Sequence, residues 1–379
     1  EKSRLTYGNS GEKNLRKLLN GDLNGKKPRV LFLTATPIGV GFENLKTLYS
    51  MLFGEGQLSN LSSISSAPGL VNITLAFIMS KFGKLDSEGN KYLNYANSKK
   101  YFGKRNQYMV CFKDDNSKIF EMVDKLQFTR LIKNPSLDDG FMKLDRFGFG
   151  LDEIPEEVEV ENMHLAKLNL ARDVNSSRSA AIESINNHIA AIPQKNYAYP
   201  DKTLTQLQEL LKEIETNFSG KKYEQLSKVI RQKGDSKLLI FTGRIATMQE
   251  LFDRLGKDFP NLVIKKHEGT ANQRQKIRER FAPDAHGIKV KKKDRIDVLI
   301  STDSISEGVD LQDANMAIDY DLWWTPLKLQ QRMGRLDRPT SGFREFKVIR
   351  FVNLTSQFTR IVKIDKYLSE RSKMLKELI

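Results

Sequence analysis

The second half of the chain predicts an α/β fold built on a doubly wound parallel sheet. Three observations carry this. Between residues 236 and 358, short apolar runs alternate with amphipathic stretches, the pattern of right-handed βαβ crossovers. The runs end in small or polar residues, where open α/β sheets place their sites. Finally, Ile318–Pro339 joins a strand end, a proline-opened helix and a cluster of guanidinium groups.

Leu238–Phe241 is the first run and ends in Thr242-Gly243-Arg244. The helix after it carries Met248, Leu251, Phe252 and Leu255 on one face. Leu262–Ile264 is the second run, ending at His267-Glu268-Gly269-Thr270, and Asn272–Phe281 is a helix rich in Arg and Gln. The loop Lys289–Arg295 holds five basic residues in seven, including Lys291, Lys292 and Lys293. Val298–Ile300 ends in Ser301-Thr302-Asp303, Met316–Ile318 is a fourth strand, Lys347–Val352 a fifth, and Ile361–Leu378 an amphipathic C-terminal helix. In a parallel sheet, Thr242, Gly243, Arg244, Gly269, Thr270, Ser301 and Thr302 would line one rim. Hydroxyls, glycine amides and an arginine along such a rim can hold a sugar–phosphate backbone without reading bases. In Ile318–Pro339, Pro326 suits a first helical turn. Spacings of three and four then put Gln331, Arg335 and Arg338 on one helix face, a device for gripping phosphate oxygens, and Gly334 permits close backbone approach.

The first half is less regular. Val30–Leu33 is a buried-strand run ending in Thr34-Ala35-Thr36-Pro37, with helical patterns in Asn14–Asn20 and Phe42–Leu52. Gly54–Gly69, rich in Gly and Ser, marks a boundary. Beyond it, Leu70–Phe82, Val160–Arg172, Arg178–Ile192, Thr203–Phe218 and Tyr223–Gln232 read as helices and Arg146–Pro155 as a loop. Tyr101–Lys113 is basic and aromatic, strand-like over Tyr108–Phe112, and open between base stacking and ordinary packing. The expected organisation is residues 1–55, a mostly helical insertion at 56–235, the α/β lobe at 236–358 and a closing helix at 359–379.

A net charge of +15 favours a polyanionic partner, nucleic acid first. One cysteine, Cys111, excludes an internal disulfide, and four scattered histidines lack metal-ligand spacing. No apolar run approaches the ~20 residues that span a bilayer. A cytoplasmic protein with no membrane partner is expected.

Gln331–Arg338, as Q-R-M-G-R-L-D-R, resembles motif VI of superfamily 2 helicases and translocases, and its Leu-Asp-Arg ending looks most like the Swi/Snf-type branch. Leu33–Pro37, as L-T-A-T-P, resembles motif III, Leu238–Arg244 motif IV, His267–Thr270 the following backbone-contact segment, and Ser301–Gln312 motif V. The resemblance implies a RecA-like second lobe preceded by the end of a first RecA-like lobe, and an ATP-dependent translocase or helicase on nucleic acid, DNA rather than RNA. It implies Arg335 and Arg338 as arginine fingers with Gln331 orienting, Gly308 and Asp310 facing ATP, and Thr36 on the nucleic-acid side. Arg332 stays open between such a role and an ion pair with an acid inside the lobe.

The departures are specific. A P-loop needs G-x-x-x-x-G-K-[ST]. Gly-Lys occurs at residues 25, 83, 103, 220 and 256, followed by Lys, Leu, Arg, Lys and Asp. Asp152-Glu153 lies downstream of motif III, where the family's magnesium-holding acids do not. The chain opens at Glu1. The expectation is therefore a C-terminal portion, inactive alone, whose ATP and Mg2+ are held mainly by an N-terminal RecA-like lobe that is its partner. The alternative is a degenerate helicase lobe acting as a nucleic-acid-binding or protein-interaction module.

Overall fold

The computed structural model describes residues 84–88, 91–95, 98–101, 103–133, 157–161, 163–195, 197–305, 310–323, 326–337, 343 and 345–362. The chain divides into two compact units, residues 1–102 with 325–330 and 368–379, and residues 103–324 with 331–367. In the first, β1 (Lys84–Leu85), β2 (Lys91–Tyr95) and β3 (Ser98–Tyr101) form an antiparallel meander. Tyr92 and Tyr101 face each other across it, ring centroids 5.6 Å apart. The segments expected at 1–55, including Thr36, and the helix and loop expected at 70–82 and 146–155 lie outside the described residues.

The second unit begins with β4 (Lys104–Phe112) and α1 (Ser117–Lys125). An antiparallel pair, β5 (Thr129–Lys133) with β6 (Glu157–Glu161), precedes four helices: α2 (Met163–Ser176), α3 (Arg178–Ala191), α4 (Pro200–Asn217) and α5 (Lys221–Arg231). Ser177 separates α2 from α3, and its hydroxyl caps α3 by accepting from the Ala180 amide. Strands and helices then alternate: β7 (Leu238–Phe241), α6 (Ile245–Asp258), β8 (Ile264–Lys266), α7 (Ala271–Phe281), β9 (Val298–Ser301), β10 (Met316–Asp319), α8 (Pro326–Met333), β11 (Glu345–Asn353) and α9 (Ser356–Val362). Residues 326–330 of α8 group with the first unit and 331–333 with the second.

All six strands of the main sheet are parallel, in the order β4-β11-β10-β7-β9-β8. Side chains alternate across it, as the pleat requires. Leu238, Ile240, Val298, Ile300 and Ile318 pack on one face against Leu226 and Ile230 of α5 and Met248, Leu251 and Leu255 of α6. Leu239, Phe241, Leu299 and Ala317 pack on the other with Phe281 of α7 and Met333 of α8. A strand covered on both faces reads as a continuous apolar run, which is why β7, β9 and β10 are legible in the sequence.

The sheet also departs from the expected five strands. β4, more than 120 residues upstream of β7, adds a sixth, with Lys104 to Phe112 registered against Glu345 to Asn353 of β11. It is an edge strand with Tyr108 and Met109 exposed, so its sequence lacks the apolar run that marks buried strands.

This placement has a direct test. Ile240→Ala, in the central strand with no exposed surface, is expected to lower stability by about 2–5 kcal/mol. Met109→Ala, at 71% exposure, is expected to stay within about 0.5 kcal/mol of wild type. Urea unfolding of both variants separates the two; comparable losses would contradict the edge position of β4.

Candidate nucleotide and nucleic-acid site

Because the strands are parallel, the segments following β7, β8, β9 and β10 emerge at one edge of the sheet. Arg332 anchors that edge. It is fully buried at the end of α8, its Nε donating to Asp303 Oδ1 at 2.8 Å and an Nη to Asp319 Oδ1 at 2.8 Å and to the Asp321 carbonyl at 3.2 Å. The guanidinium lies 5.0 Å over the Phe241 ring. Burial disfavours its charge, but the two carboxylates outweigh burial and raise its pKa above the ordinary arginine value. Arg332 therefore takes the second of its two sequence readings, an ion pair inside the lobe. Asp303 opens the turn that follows β9 and Asp319 ends β10, so one side chain ties α8 to two strand ends.

The helix expected to carry Gln331 and Arg335 on one face stops short of Arg335. α8 ends at Met333, and the chain turns over 334–336, with Arg335 N donating to the Arg332 carbonyl and Leu336 N to that of Met333. Gln331 is in the last helical turn and half-buried; Arg335 is half-buried in the turn beyond it. The Arg335 carbonyl accepts from the Leu311 amide at 3.1 Å, which places the turn beside half-buried Asp310. Gly308 and Arg338 lie outside the described residues.

A second buried group sits where β10 ends. Asp321 accepts from Thr242 Oγ1 and Ser176 Oγ at 2.6 Å, from Gly243 N at 2.8 Å, and from Lys222 Nζ at 2.8 Å. Burial by itself opposes the carboxylate's charge, but Lys222 and these hydroxyls hold it well below the usual carboxylate range. Lys222 also donates to the Asn175 carbonyl at 2.8 Å, and Asn175 joins Asn353 and Asp114 at the ends of β11 and β4. Thr242 is thus fully buried with its hydroxyl directed at Asp321, and Ser301 is fully buried with its hydroxyl on the Thr302 carbonyl. The expectation that these two hydroxyls line an open rim does not hold: Ser176 of α2 and Lys222 of α5 close over Thr242 through Asp321, and Ser301 turns back onto its own backbone. Arg244 remains partly exposed and pairs with Asp173 of α2; beside it, Arg172 lies 4.8 Å over the Trp323 ring.

The rim is open at its other end. Gly269 is exposed at φ +93°, and a Cβ there would run into the Gln273 side chain, so the turn requires glycine. Thr270 is exposed and caps α7: its Oγ1 accepts from Gln273 N at 3.3 Å while Gln273 Oε1 accepts from Thr270 N at 2.8 Å. Thr302 is half-buried and follows β9 directly in the chain. His267, 4% exposed, has no hydrogen-bond partner on either ring nitrogen among the described residues. Burial, then Arg278 and Arg274, lower its pKa to about 4.

Lys291, Lys292 and Lys293 are exposed, but they precede β9. A parallel sheet puts that connection at the opposite edge from Gly269 and Thr270, so the lysines do not share the rim expected for them. Sequence reasoning missed Lys222, Asp321 and Ser176. One signal was available: the alternation in Ile318-Asp319-Tyr320-Asp321 sets two acids at the end of a buried strand, where each must find a cation or donors. Among the described residues no group of three or more His, Cys, Asp or Glu could hold a metal ion, and no helix is long and apolar enough to cross a membrane.

Residues 221–340 match the family model of the helicase conserved C-terminal domain. That stretch runs from α5 through the turn bearing Arg335. With the all-parallel sheet and the strand ends gathered at one edge, it sets the class this part of the chain resembles: the conserved C-terminal domain of helicases. The chain is 24% identical over 212 residues to the uncharacterized ATP-dependent helicase YqhH of Bacillus subtilis, covering 56% of this chain and 35% of that protein. It is 26% identical over 141 residues to the ATP-dependent DNA helicase fml1 of Schizosaccharomyces pombe, covering 36% and 17%. It is 32% identical over 110 residues to the RNA polymerase-associated protein RapA of Vibrio campbellii, covering 29% and 10%. The chain thus spans about a third or less of the length of these relatives.

Two expectations test the site's physics. Lys222→Met strands the buried Asp321 carboxylate and should cost about 3–5 kcal/mol, most of which Lys222→Met combined with Asp321→Leu recovers. Urea midpoints at neutral pH read this; a silent single variant would mean the pair is not buried as described. Because the folded pKa of Asp321 is depressed, its contribution is present above about 3.8 and is lost as pH falls below that value. The His267 pKa is also depressed, here because burial and two arginines disfavour its charged form: the unfolded chain binds a proton near pH 6.5 that the fold accepts only near 4. Stability should therefore fall as pH drops from 6.5 toward 4, and His267→Gln should flatten that slope in a pH series of thermal unfolding.

Proposed function

We propose that this chain is the C-terminal part of an ATP-dependent nucleic-acid translocase or helicase whose track is double-stranded DNA. In this reading Arg335, with Arg338, stabilises charge on the transferring phosphoryl group of ATP bound by an N-terminal RecA-like lobe. Gln331 orients, and Asp310 with Gly308 faces the nucleotide. Gly269, Thr270, Arg244 and Thr302 bear on the phosphate backbone. ATP and its magnesium are held mainly by the N-terminal lobe, so the chain alone hydrolyses no ATP.

The observation that carries this reading is the pairing of Arg332 with both Asp303 and Asp319. A binding-only module has no need to bury a guanidinium in order to fix the turn that bears Arg335. A guanidinium held half-buried on a rigid turn beside Asp310 fits a phosphate, since its fork matches phosphate oxygens and little ordering remains to be done on binding. The net charge of +15 supports a nucleic-acid track, and the similarity to the ATP-dependent DNA helicase fml1 of Schizosaccharomyces pombe supports DNA over RNA.

In the protein extended by its N-terminal lobe, Arg335→Ala should lower DNA-stimulated ATP turnover by about 10³-fold or more with little change in DNA affinity. A coupled ATPase assay and DNA binding by fluorescence anisotropy read the two quantities separately. Unchanged turnover, or DNA binding lost in parallel, would overturn the finger assignment.

A further inference from the structure

β8 ends the sheet on its side, and along it lies an open cleft of about 380 Å³ between α6 and α7. Phe252 of α6 forms one wall, Lys265 and Lys266 come from β8, and Lys276 and Arg280 come from α7. Lys266 Nζ pairs with Glu268 at 2.5 Å and sits 5.4 Å over the Phe252 ring. Four cations thus face a single carboxylate whose charge one of them already answers. None belongs to the turn bearing Arg335.

The cleft has a direction. α7 is eleven residues, about 16 Å, and runs back from the edge bearing Thr270 to the opposite edge. Gly269 lines the near end of the cleft. At the far end Arg280 Nε donates at 2.8 Å to the Asp294 carbonyl, in the turn Lys292–Asp294 where Lys291, Lys292 and Lys293 are exposed. A cationic strip therefore joins the two sets of basic residues that the parallel topology places at opposite edges.

We propose that this flank cleft binds single-stranded nucleic acid, with Lys265, Lys276 and Arg280 on successive phosphates and Phe252 against a base. Cations spaced along a groove with an aromatic ring in its wall are the elements of single-strand binding, in which stacking tolerates any base. A flexible strand can enter the cleft and reach Phe252; the rigid cylinder of a duplex meets only the outer cations. The inference rests on the nucleic-acid reading above and extends it to a strand leaving the main track.

The test is fluorescence anisotropy with a short fluorescein-labelled oligothymidylate and a duplex of the same length, over a salt series. Lys265→Glu combined with Lys276→Glu should weaken oligothymidylate binding by about tenfold or more and flatten its salt dependence, with a smaller effect on the duplex. Phe252→Leu, which keeps the apolar contact with the core, should weaken the single strand by roughly fivefold or more and leave the duplex unchanged. If neither variant alters oligothymidylate binding, the cleft assignment is overturned and the proposed function stands. Equal losses on both probes overturn the single-strand assignment. A wild-type chain that binds neither probe overturns both readings.

Discussion

A buried carboxylate, Asp321, is the constraint on which the second unit depends. It lies just past the end of β10 and collects donors from α2, α5 and the end of β7. An ionised carboxyl in such a place is tolerable only when paired and fully hydrogen-bonded, and Lys222 with Ser176, Thr242 and Gly243 supplies that. The consequence is geometric. The helical layer cannot slide over the sheet without stranding a charge, so helices that precede β7 in the chain are registered against strands that follow it. Asn175 and Lys222 extend the network to Asn353 and Asp114, and hence to the ends of β11 and β4.

Arg332 performs the matching task on the other side of the sheet's edge. Its two carboxylate partners belong to segments that motif comparison treats as separate, the turn after β9 and the end of β10. The proposed finger, Arg335, follows three residues later on a turn whose carbonyl is bound by Leu311. Any movement of that turn is felt at Asp303 and at the approach to Asp310. In the proposed function such stiffness matters, because a loosely held guanidinium would lose rotational entropy each time it engaged a phosphate.

The sheet edge is thereby divided. Over β4, β11, β10 and β7 it is closed by α2, α5 and their polar contacts, and Thr242 becomes a structural hydroxyl. Past β9 and β8 it is open, with Gly269 and Thr270 at the surface and α7 leading away along the flank. Thr270 serves both purposes, since the capping box that starts α7 also holds the exposed turn in shape.

The sequence by itself determined the alternation of buried strands and helices from Leu238 onward, because strands covered on both faces must be apolar throughout. It also determined the order of the strand-end motifs, and His267–Thr270 and Arg332–Arg335 could be singled out there as chemistry-bearing. Only the tertiary structure decided which of those residues reach the surface. Thr242 and Ser301 are hydroxyls like Thr270, and nothing local distinguishes them; their burial follows from helices distant in the chain or from the packing of the strand itself. Likewise β4 is invisible as a strand of this sheet, since an edge strand may be polar and its partner β11 lies over 230 residues downstream. The separation of Lys291–Lys293 from Thr270 is of the same kind: charge is written in the sequence, but which edge of a parallel sheet a loop occupies is set by the direction of the strand it feeds.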